Sequence, residues 1–388
     1  MKKIYIFFIS LFFLYPIKVE ATDFDINAKN AILYNVSDNE ILYEKSADEK
    51  VSIASLTKIM TSIVAIEKID DLNEYITITS KDFEGTNGYS KAGFKINDKV
   101  TYLDLLYGII LPSGADAVNA VVNNTYGYDE FINKMNELAK KLNLTSTSFS
   151  NPIGKDSPTN YSTAKDLSIL LKYALKNETF KTIFTTKRYT TTNNIELKST
   201  ILRYANNEMD VNKIAGAKSG FTKDAGRCLA SLYYKENPSL IFIDINSSQS
   251  TSSSAINDTL IVYNYYEQNY SMQSIINDDT KITTIPINLS NEKTYEITGS
   301  EDITKYLKND SNITYKYNGV KEIKFNTKKG TKLGTVSIYN KDKLLTTQDV
   351  YLESNIKYYP IKNMAIILIT LLVLVLVFIL IKKRVKKW

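Results

Sequence analysis

Residues Met364 to Ile381 form an unbroken run of 18 residues without a charged side chain, rich in Leu, Ile and Val, and five of the last seven residues (Lys382, Lys383, Arg384, Lys386 and Lys387) are basic. As a helix rising ~1.5 Å per residue the run spans about 27 Å, close to the hydrocarbon thickness of a bilayer. A helix buried in a soluble core shows a polar face where it meets solvent, and this run has none. Residues 364–381 are therefore expected to cross a membrane as a transmembrane helix, with residues 382–388 as a basic cytoplasmic tail. At the opposite end, Lys2 and Lys3 precede an apolar stretch from Ile4 to Tyr15 and a small-x-small site at Val19-Glu20-Ala21. That pattern predicts a secretory signal peptide over residues 1–21. Everything between should lie outside the cell membrane, tethered at its C-terminus.

The charge of the chain supports this division. Of the net +6, residues 1–21 carry +2 and residues 382–388 carry +5, so the body between them sums to −1 and is close to neutral. A near-neutral body offers no electrostatic footprint for nucleic acid, and no nucleic-acid partner is expected. The chain contains no histidine and a single cysteine, Cys228. These absences exclude a Ser-His-Asp or Cys-His catalytic set, histidine-ligated zinc or haem, an intrachain disulfide and a thiolate cluster. No metal and no cofactor is expected.

The body reads as two parts, as its length suggests. Over residues 22–272 strands alternate with helices. Ala31–Tyr34 and Ile41–Glu44 flank a Ser-Asp-Asn-Glu turn. Phe131, Met135, Leu138 and Leu142 repeat with helical spacing, as do Leu167, Leu170, Leu171 and Leu175, and Leu229–Tyr234 and Leu240–Ile245 read as strands. The expected fold class is α+β, an antiparallel sheet covered by helices. The polar Ser247–Ser254 tract resembles a linker, but the helical spacing of Leu260, Ile261 and Tyr265 after it argues against a boundary there. Residues 278–356 read as a small all-β module, in which Asn318-Gly319 is the expected hairpin turn between Ile313–Tyr317 and the run Val320, Ile323, Phe325.

Without histidine, a serine nucleophile needs another base. A lysine three residues later on a helix shares its face and reaches its hydroxyl. Ser-x-x-Lys occurs four times, at Ser55/Lys58, Ser162/Lys165, Ser290/Lys293 and Ser354/Lys357. Only Ser55/Lys58 opens an apolar helical run (Ile59, Met60, Ile63, Val64, Ile66) that can desolvate the amine. Ser162 or Thr163 reads as a helix N-cap, and the other two pairs fall in strand-and-turn sequence. A penicilloyl-serine-type site also requires a Ser-x-Asn element and a Lys-[Thr/Ser]-Gly strand. Lys218-Ser219-Gly220 matches the second. Ser113-Gly114-Ala115 stands where the first belongs, with alanine in place of asparagine.

With these motifs in order, the chain resembles the serine-type D-alanyl-D-alanine carboxypeptidases, the low-molecular-mass penicillin-binding proteins. The likeness includes Ala54–Thr61, Leu111–Ala117, Phe149–Gly154, Tyr161–Leu167 and Gly216–Thr222, and Thr327–Gly334 resembles the β-rich stalk domain of that family. The resemblance implies a penicillin-binding-protein/β-lactamase-like fold with residues 22–272 catalytic and 278–356 a stalk. It implies Ser55 as nucleophile, Lys58 as base made neutral by burial and by the Lys218 cation, and Ser113 as proton relay. Lys218, helped by Ser219 and Thr222, would hold the terminal carboxylate of the substrate, and the backbone N–H groups of Ser55 and Phe221 would form the oxyanion hole. The implied partners are peptidoglycan stem peptides, β-lactam antibiotics as covalent inhibitors, and the lipid bilayer through the C-terminal helix. Where Ala115 replaces the family's asparagine, Asp116 or Asn119 is a candidate substitute. Asn160 occupies a position where relatives often carry histidine. Two rival readings share the motifs: an inactive or weak wall-binding relative, and a β-lactamase, for which no deacylation base is apparent.

Overall fold

A computed structural model describes residues 24–356, apart from 289, 291 and 325, together with residues 360–385. The expected signal peptide lies outside the described residues. Contacts divide the chain into two compact units, one ending at Tyr266 and one beginning at Glu267.

In the first unit, β1 (Asn30–Asn35) and β2 (Glu40–Lys45) form the expected hairpin. A single 3₁₀ turn at Ala54–Leu56 then runs into α1 (Thr57–Lys68). A two-stranded ribbon of β3 (Tyr75–Thr77) and β4 (Lys99–Thr101) leads to α2 (Tyr102–Ile110), α3 (Ala115–Asn124), α4 (Tyr128–Lys141), α5 (Ala164–Ala174) and α6 (Glu178–Thr185). A second ribbon, β5 (Arg188–Thr190) with β6 (Glu196–Lys198), precedes the short α7 (Thr200–Tyr204). The chain ends this unit through β7 (Ile214–Thr222), β8 (Gly226–Tyr233), β9 (Leu240–Ser247) and α8 (Ser254–Asn269).

The five long strands form one antiparallel sheet in the order β2-β1-β9-β8-β7. The fold is therefore α+β, and β7, which carries Lys218, is an edge strand. Helix starts follow local chemistry. Thr101 and Asp104 exchange backbone hydrogen bonds as a capping box at α2, and Thr163 caps α5 by accepting from the Asp166 N–H. The first nine residues of α1, Thr57 to Ala65, are all buried, so this helix is enclosed on every side rather than amphipathic. That enclosure desolvates Lys58.

In the second unit, β10 (Tyr270–Ile276) pairs with β13 (Ile303–Lys308), and β11 (Lys281–Asn288) lies between β12 (Thr294–Thr298) and β15 (Ile323–Lys324). β14 (Ile313–Gly319), β16 (Lys332–Asn340) and β17 (Lys343–Tyr351) form a third sheet around a small core including Ile297, Val336 and Ile338. The expected hairpin at Asn318-Gly319 is not there. Both residues sit inside β14, opposite Thr335 and Gly334 of β16, while β15 pairs in parallel with β11. Gly319 serves close approach instead of turning, since a Cβ on it would stand 2.4 Å from the Leu333 carbonyl oxygen. Beyond this module α9 (Pro360–Val385) covers the apolar run. Its Met364–Arg384 span has a mean hydropathy of 3.5, and its apolar side chains are exposed, as a membrane anchor requires.

Beneath α8 lies an unusual polar pair. Asp258 accepts from Asn27 Nδ2 (2.9 Å), the Ala28 N–H (2.9 Å) and Ser247 Oγ (2.7 Å). Asp244, on β9, is fully buried and neither of its oxygens meets a donor among the described residues. Burial, and then the adjacent Asp258 charge, push the Asp244 carboxyl well above the usual carboxylate range, so it keeps its proton and donates it to Asp258. The folded state then binds a proton that the unfolded chain releases near pH 4, and this contribution to stability falls as pH rises above that point. Asp244→Asn is expected to flatten the decline in unfolding free energy between pH 4 and 7, measured by urea titration. An unchanged slope would place the proton elsewhere.

Candidate active site

Ser55 sits in the middle of the 3₁₀ turn, one residue after Ala54, whose φ of +46° lies in the left-handed region. For a residue with a Cβ this conformation is strained, and surrounding structure must hold it. Lys58 follows in the first turn of α1. Its Nζ donates to Ser55 Oγ (2.9 Å) and to the Ile153 carbonyl oxygen (2.6 Å). Lys58 is 1% exposed and forms no ion pair among the described residues. Burial lowers its pKa to about 7, against an opposing pull from Asp116. A sizeable neutral fraction therefore exists at physiological pH, and a neutral amine beside a hydroxyl is able to accept its proton.

The Phe149–Gly154 stretch holds this lysine. Asn151 Oδ1 accepts from the N–H groups of Gly154 and Lys155 (both 2.8 Å), and its Nδ2 donates to the Lys155 carbonyl (3.1 Å). Thr61 Oγ1 donates to the Pro152 carbonyl (2.7 Å), which fastens the loop to α1. Gly154, at φ +89°, lets the loop press against the nucleophile turn, for a Cβ there would come within 2.0 Å of the Ala54 carbonyl oxygen. From the other side Gly220 of β7 makes a similar approach, with a Cβ position 3.1 Å from the Ser55 nitrogen. The sheet edge thus runs directly alongside the Ser55 N–H.

Lys218 Nζ donates to Ser113 Oγ (2.8 Å) and to the Ser219 carbonyl (2.6 Å). Ser113, between α2 and α3, is also left-handed at φ +67°. Lys218 is fully buried, and burial followed by the charge of Lys58 lowers its pKa well below the ordinary lysine value. The structure therefore brings Ser55, Lys58, Ser113 and Lys218 into one cluster. Ser55, Ser113, Ser219 and Phe221 all line a cleft of about 150 Å³. Ser219 Oγ donates to Thr200 Oγ1 (2.6 Å), whereas Thr222 turns away to donate to Asp156 Oδ1 (2.7 Å). Cys228 also lines the cleft, but burial pushes its thiol up to about 12, which leaves it inert as a nucleophile.

One expectation requires correction. Neither Asp116 nor Asn119 substitutes for an asparagine at Ala115. Asp116 accepts from the N–H groups of Ala92 (2.8 Å) and Gly93 (3.2 Å), and Asn119 donates to the carbonyls of Asp82 (3.2 Å) and Glu84 (2.9 Å). Both bind neighbouring backbone, and Ala115 itself is fully buried. Burial is the main cause of the lowered pKa of both lysines, and the mutual repulsion of two ammonium groups in one buried cluster disfavours both being charged at once. Asn160 is buried and structural, its Oδ1 accepting from the Ser150 N–H (3.1 Å). Sequence reading missed the Ile153 carbonyl and Asn151, although both lie in a quoted motif, and it missed Thr200 and Arg227, which line the cleft outside any motif.

The chain is similar in sequence and in fold to known proteins. A family model described as D-alanyl-D-alanine carboxypeptidase matches residues 17–249, and one described as penicillin-binding protein 5, C-terminal domain, matches residues 270–358. The D-alanyl-D-alanine carboxypeptidase DacF of Bacillus subtilis is 26% identical over 336 residues, covering 85% of this chain and 86% of its own. A D-alanyl-D-alanine carboxypeptidase of Streptomyces sp. strain K15 is 39% identical over 160 residues, covering 38% of this chain and 55% of its own. Among solved structures, penicillin-binding protein 5 from Haemophilus influenzae shares the fold with a TM-score of 0.64 at 20% identity, over 87% of this chain and 100% of that one. The Streptomyces K15 DD-transpeptidase aligns with a TM-score of 0.56 at 30% identity, over 63% of this chain and 98% of that one.

A buried amine of low pKa has a thermodynamic signature. Between pH 7 and about 10.5 the unfolded chain holds a proton on Lys58 that the folded chain has released, so this group's contribution to stability rises with pH across that window. Below pH 7 the folded state must bury an ammonium. Lys58→Met is expected to raise the melting temperature by roughly 2–4 °C at pH 6 and by less at pH 9. An equal effect at both pH values would show that Lys58 is not titrating in this window.

Proposed function

The chain belongs to the D-alanyl-D-alanine carboxypeptidase family, and from that premise we propose how its residues carry out the reaction on peptidoglycan stem pentapeptides. Neutral Lys58 takes the proton from Ser55 Oγ as that oxygen attacks the carbonyl of the penultimate D-Ala. The N–H groups of Ser55 and Phe221 receive the developing oxyanion, a contribution of ~3 kcal/mol per donor in comparable sites. Ser113, hydrogen bonded to Lys218, passes a proton to the departing amine of the terminal D-Ala and is reprotonated by the Lys58 ammonium, so Lys58 returns to its neutral form. Water then attacks the Ser55 ester, with Lys58 again the base, and releases the shortened peptide. Lys218 and Ser219 form the edge along which the substrate's C-terminal residue lies, while Thr222, expected to help, is engaged with Asp156. The observation that carries this reading is the 2.9 Å hydrogen bond between Lys58 Nζ and Ser55 Oγ, made by an amine whose pKa is already near 7.

The surrounding organisation follows the same reading. Residues 1–21 direct export, 22–272 form the catalytic domain, and 278–356 form a β-rich stalk. The 364–381 helix anchors the chain with its basic end in the cytoplasm and its catalytic domain facing the wall. β-Lactams, which imitate the acyl donor, acylate Ser55 and leave it blocked.

The ectodomain is expected to form a long-lived adduct with a fluorescent penicillin and to release D-Ala from a pentapeptide, and Ser55→Ala should abolish both. Swift turnover of the penicillin would indicate a β-lactamase instead, and absence of any adduct an inactive relative. The working form of Lys58 is the unprotonated one, so kcat/KM should climb about tenfold per pH unit below 7 and level off above it. Lys58→Arg, which cannot lose its proton, should lower kcat/KM by roughly 10²–10⁴-fold. A flat pH profile between 5 and 8 would remove Lys58 as the base.

A further inference from the structure

The start of α1 presents two side chains to one loop. Lys58 Nζ donates to the Ile153 carbonyl (2.6 Å), and Thr61 Oγ1, about one turn further along, donates to the carbonyl of the preceding residue, Pro152 (2.7 Å). A threonine inside a helix ordinarily returns its hydroxyl to the carbonyl four residues back. Here that carbonyl, on Thr57, is 3.4 Å away, so the hydroxyl favours the loop over its own helix. Thr61 is fully buried, where valine would fill the same space and lack only the hydroxyl. The polar atom is therefore placed for Pro152 and not for packing.

What this hold gives is a fixed direction at Lys58. A neutral amine carries two N–H groups and one lone pair. A carbonyl oxygen only accepts, so Ile153 takes an N–H, and the lone pair is left to turn to the Ser55 hydroxyl, 2.9 Å away. When the Ser55 O–H breaks and its proton joins Nζ, the ammonium so formed still faces the Ile153 carbonyl, and a hydrogen bond from a charged donor is the stronger kind. That carbonyl must therefore keep its place through the step. Pro152 transmits the hold, because its ring removes one of the two backbone rotations at that residue. The rest of the loop is fastened separately. Asn136 of α4 clasps Phe149, its Oδ1 accepting from the N–H (3.0 Å) and its Nδ2 donating to the carbonyl (2.7 Å), while Asn151 binds Gly154 and Lys155. Losing the Thr61 hydroxyl would leave the loop in place and release only the stretch that carries the Ile153 carbonyl.

We propose that Thr61 is a positioning residue for proton transfer: its bond to the Pro152 carbonyl sets the Ile153 carbonyl against Lys58 Nζ, so that the amine aims its lone pair at the Ser55 hydroxyl and the ammonium it becomes is received in place. This rests on the carboxypeptidase reading and deepens it. Thr61 does not line the cleft and acts through the loop. The charged groups that bear on Lys58, Asp116 of α3 and Lys218 of β7, are the same whether or not Thr61 keeps its hydroxyl.

The test compares the full chain with its Thr61→Val and Thr61→Ser variants, following D-Ala release from a pentapeptide as a function of pH and acylation of Ser55 by a fluorescent penicillin. Thr61→Val should lower kcat roughly 5- to 50-fold with KM changed less than about twofold. Thr61→Ser, which keeps the hydroxyl, should recover most of that loss. The midpoint of the acid limb of kcat/KM should move down by roughly half a pH unit in Thr61→Val, because the ammonium loses an acceptor that favours it, and return in Thr61→Ser. Labelling by the penicillin should slow in Thr61→Val yet reach full stoichiometry, which reports an intact site. If Thr61→Val does not fold, Thr61→Cys, whose thiol is a weak donor, takes its place under the same expectations. Unchanged kcat, a loss carried by KM, or a midpoint that moves up, as it would if water reached Lys58, overturns the assignment of Thr61 while leaving the carboxypeptidase reading intact. Failure of the unmutated chain to release D-Ala and to be acylated overturns that reading and this inference with it.

Discussion

An amine enclosed in a helix that is itself enclosed has only two ways to be comfortable: to find an acid, or to give up its charge. Among the described residues Lys58 pairs with no carboxylate and instead donates to the Ser55 hydroxyl and the Ile153 carbonyl, both neutral acceptors. Much of the surrounding architecture follows from keeping it that way. The Asn151 loop presents the carbonyl, Thr61 ties that loop to α1, and the buried surface of α1 excludes the water that would restore an ordinary pKa. Asp116, the acid near enough to oppose this, spends its oxygens on the backbone of Ala92 and Gly93.

The site also concentrates conformations that an unconstrained chain avoids. Ala54 and Ser113, which flank or carry the reacting hydroxyls, both adopt left-handed backbone geometry, each at a cost of order 1–3 kcal/mol. Two buried lysines add to that load. Strain and buried charge gathered around one cluster, within an otherwise well-packed core, is the pattern expected where activity rather than stability has shaped the local structure.

Helices and long strands were legible in the sequence because their signals are local. The heptad-like spacing of Phe131, Met135 and Leu138 and the apolar flanks of the Ser37–Glu40 turn depend on neighbours in the chain. Ser55 and Lys58 were legible for the same reason, as one helical turn brings them together. What escaped was non-local. Asn318-Gly319 has the composition of a turn, yet Gly319 is required by the carbonyl of Leu333 pressing against it. Asp116 and Asn119 looked available because nothing nearby in sequence claims them, whereas their partners lie 23 to 37 residues away. Arg227 belongs to no motif, and only the pairing of β8 with β7 brings it over Phe221.

The β7 edge has one more property. Successive side chains of a strand face opposite sides, so Lys218 enters the buried cluster with Ser113 while Ser219 points to Thr200 and Phe221 to Arg227. Two different jobs are thus coded by the parity of a position, and the irregularity between Ile214 and Gly216 sets which parity applies. Losing or gaining one residue at that irregularity would leave a strand in the same place with every hydroxyl and ammonium exchanged across the sheet: an intact-looking fold, chemically inside out.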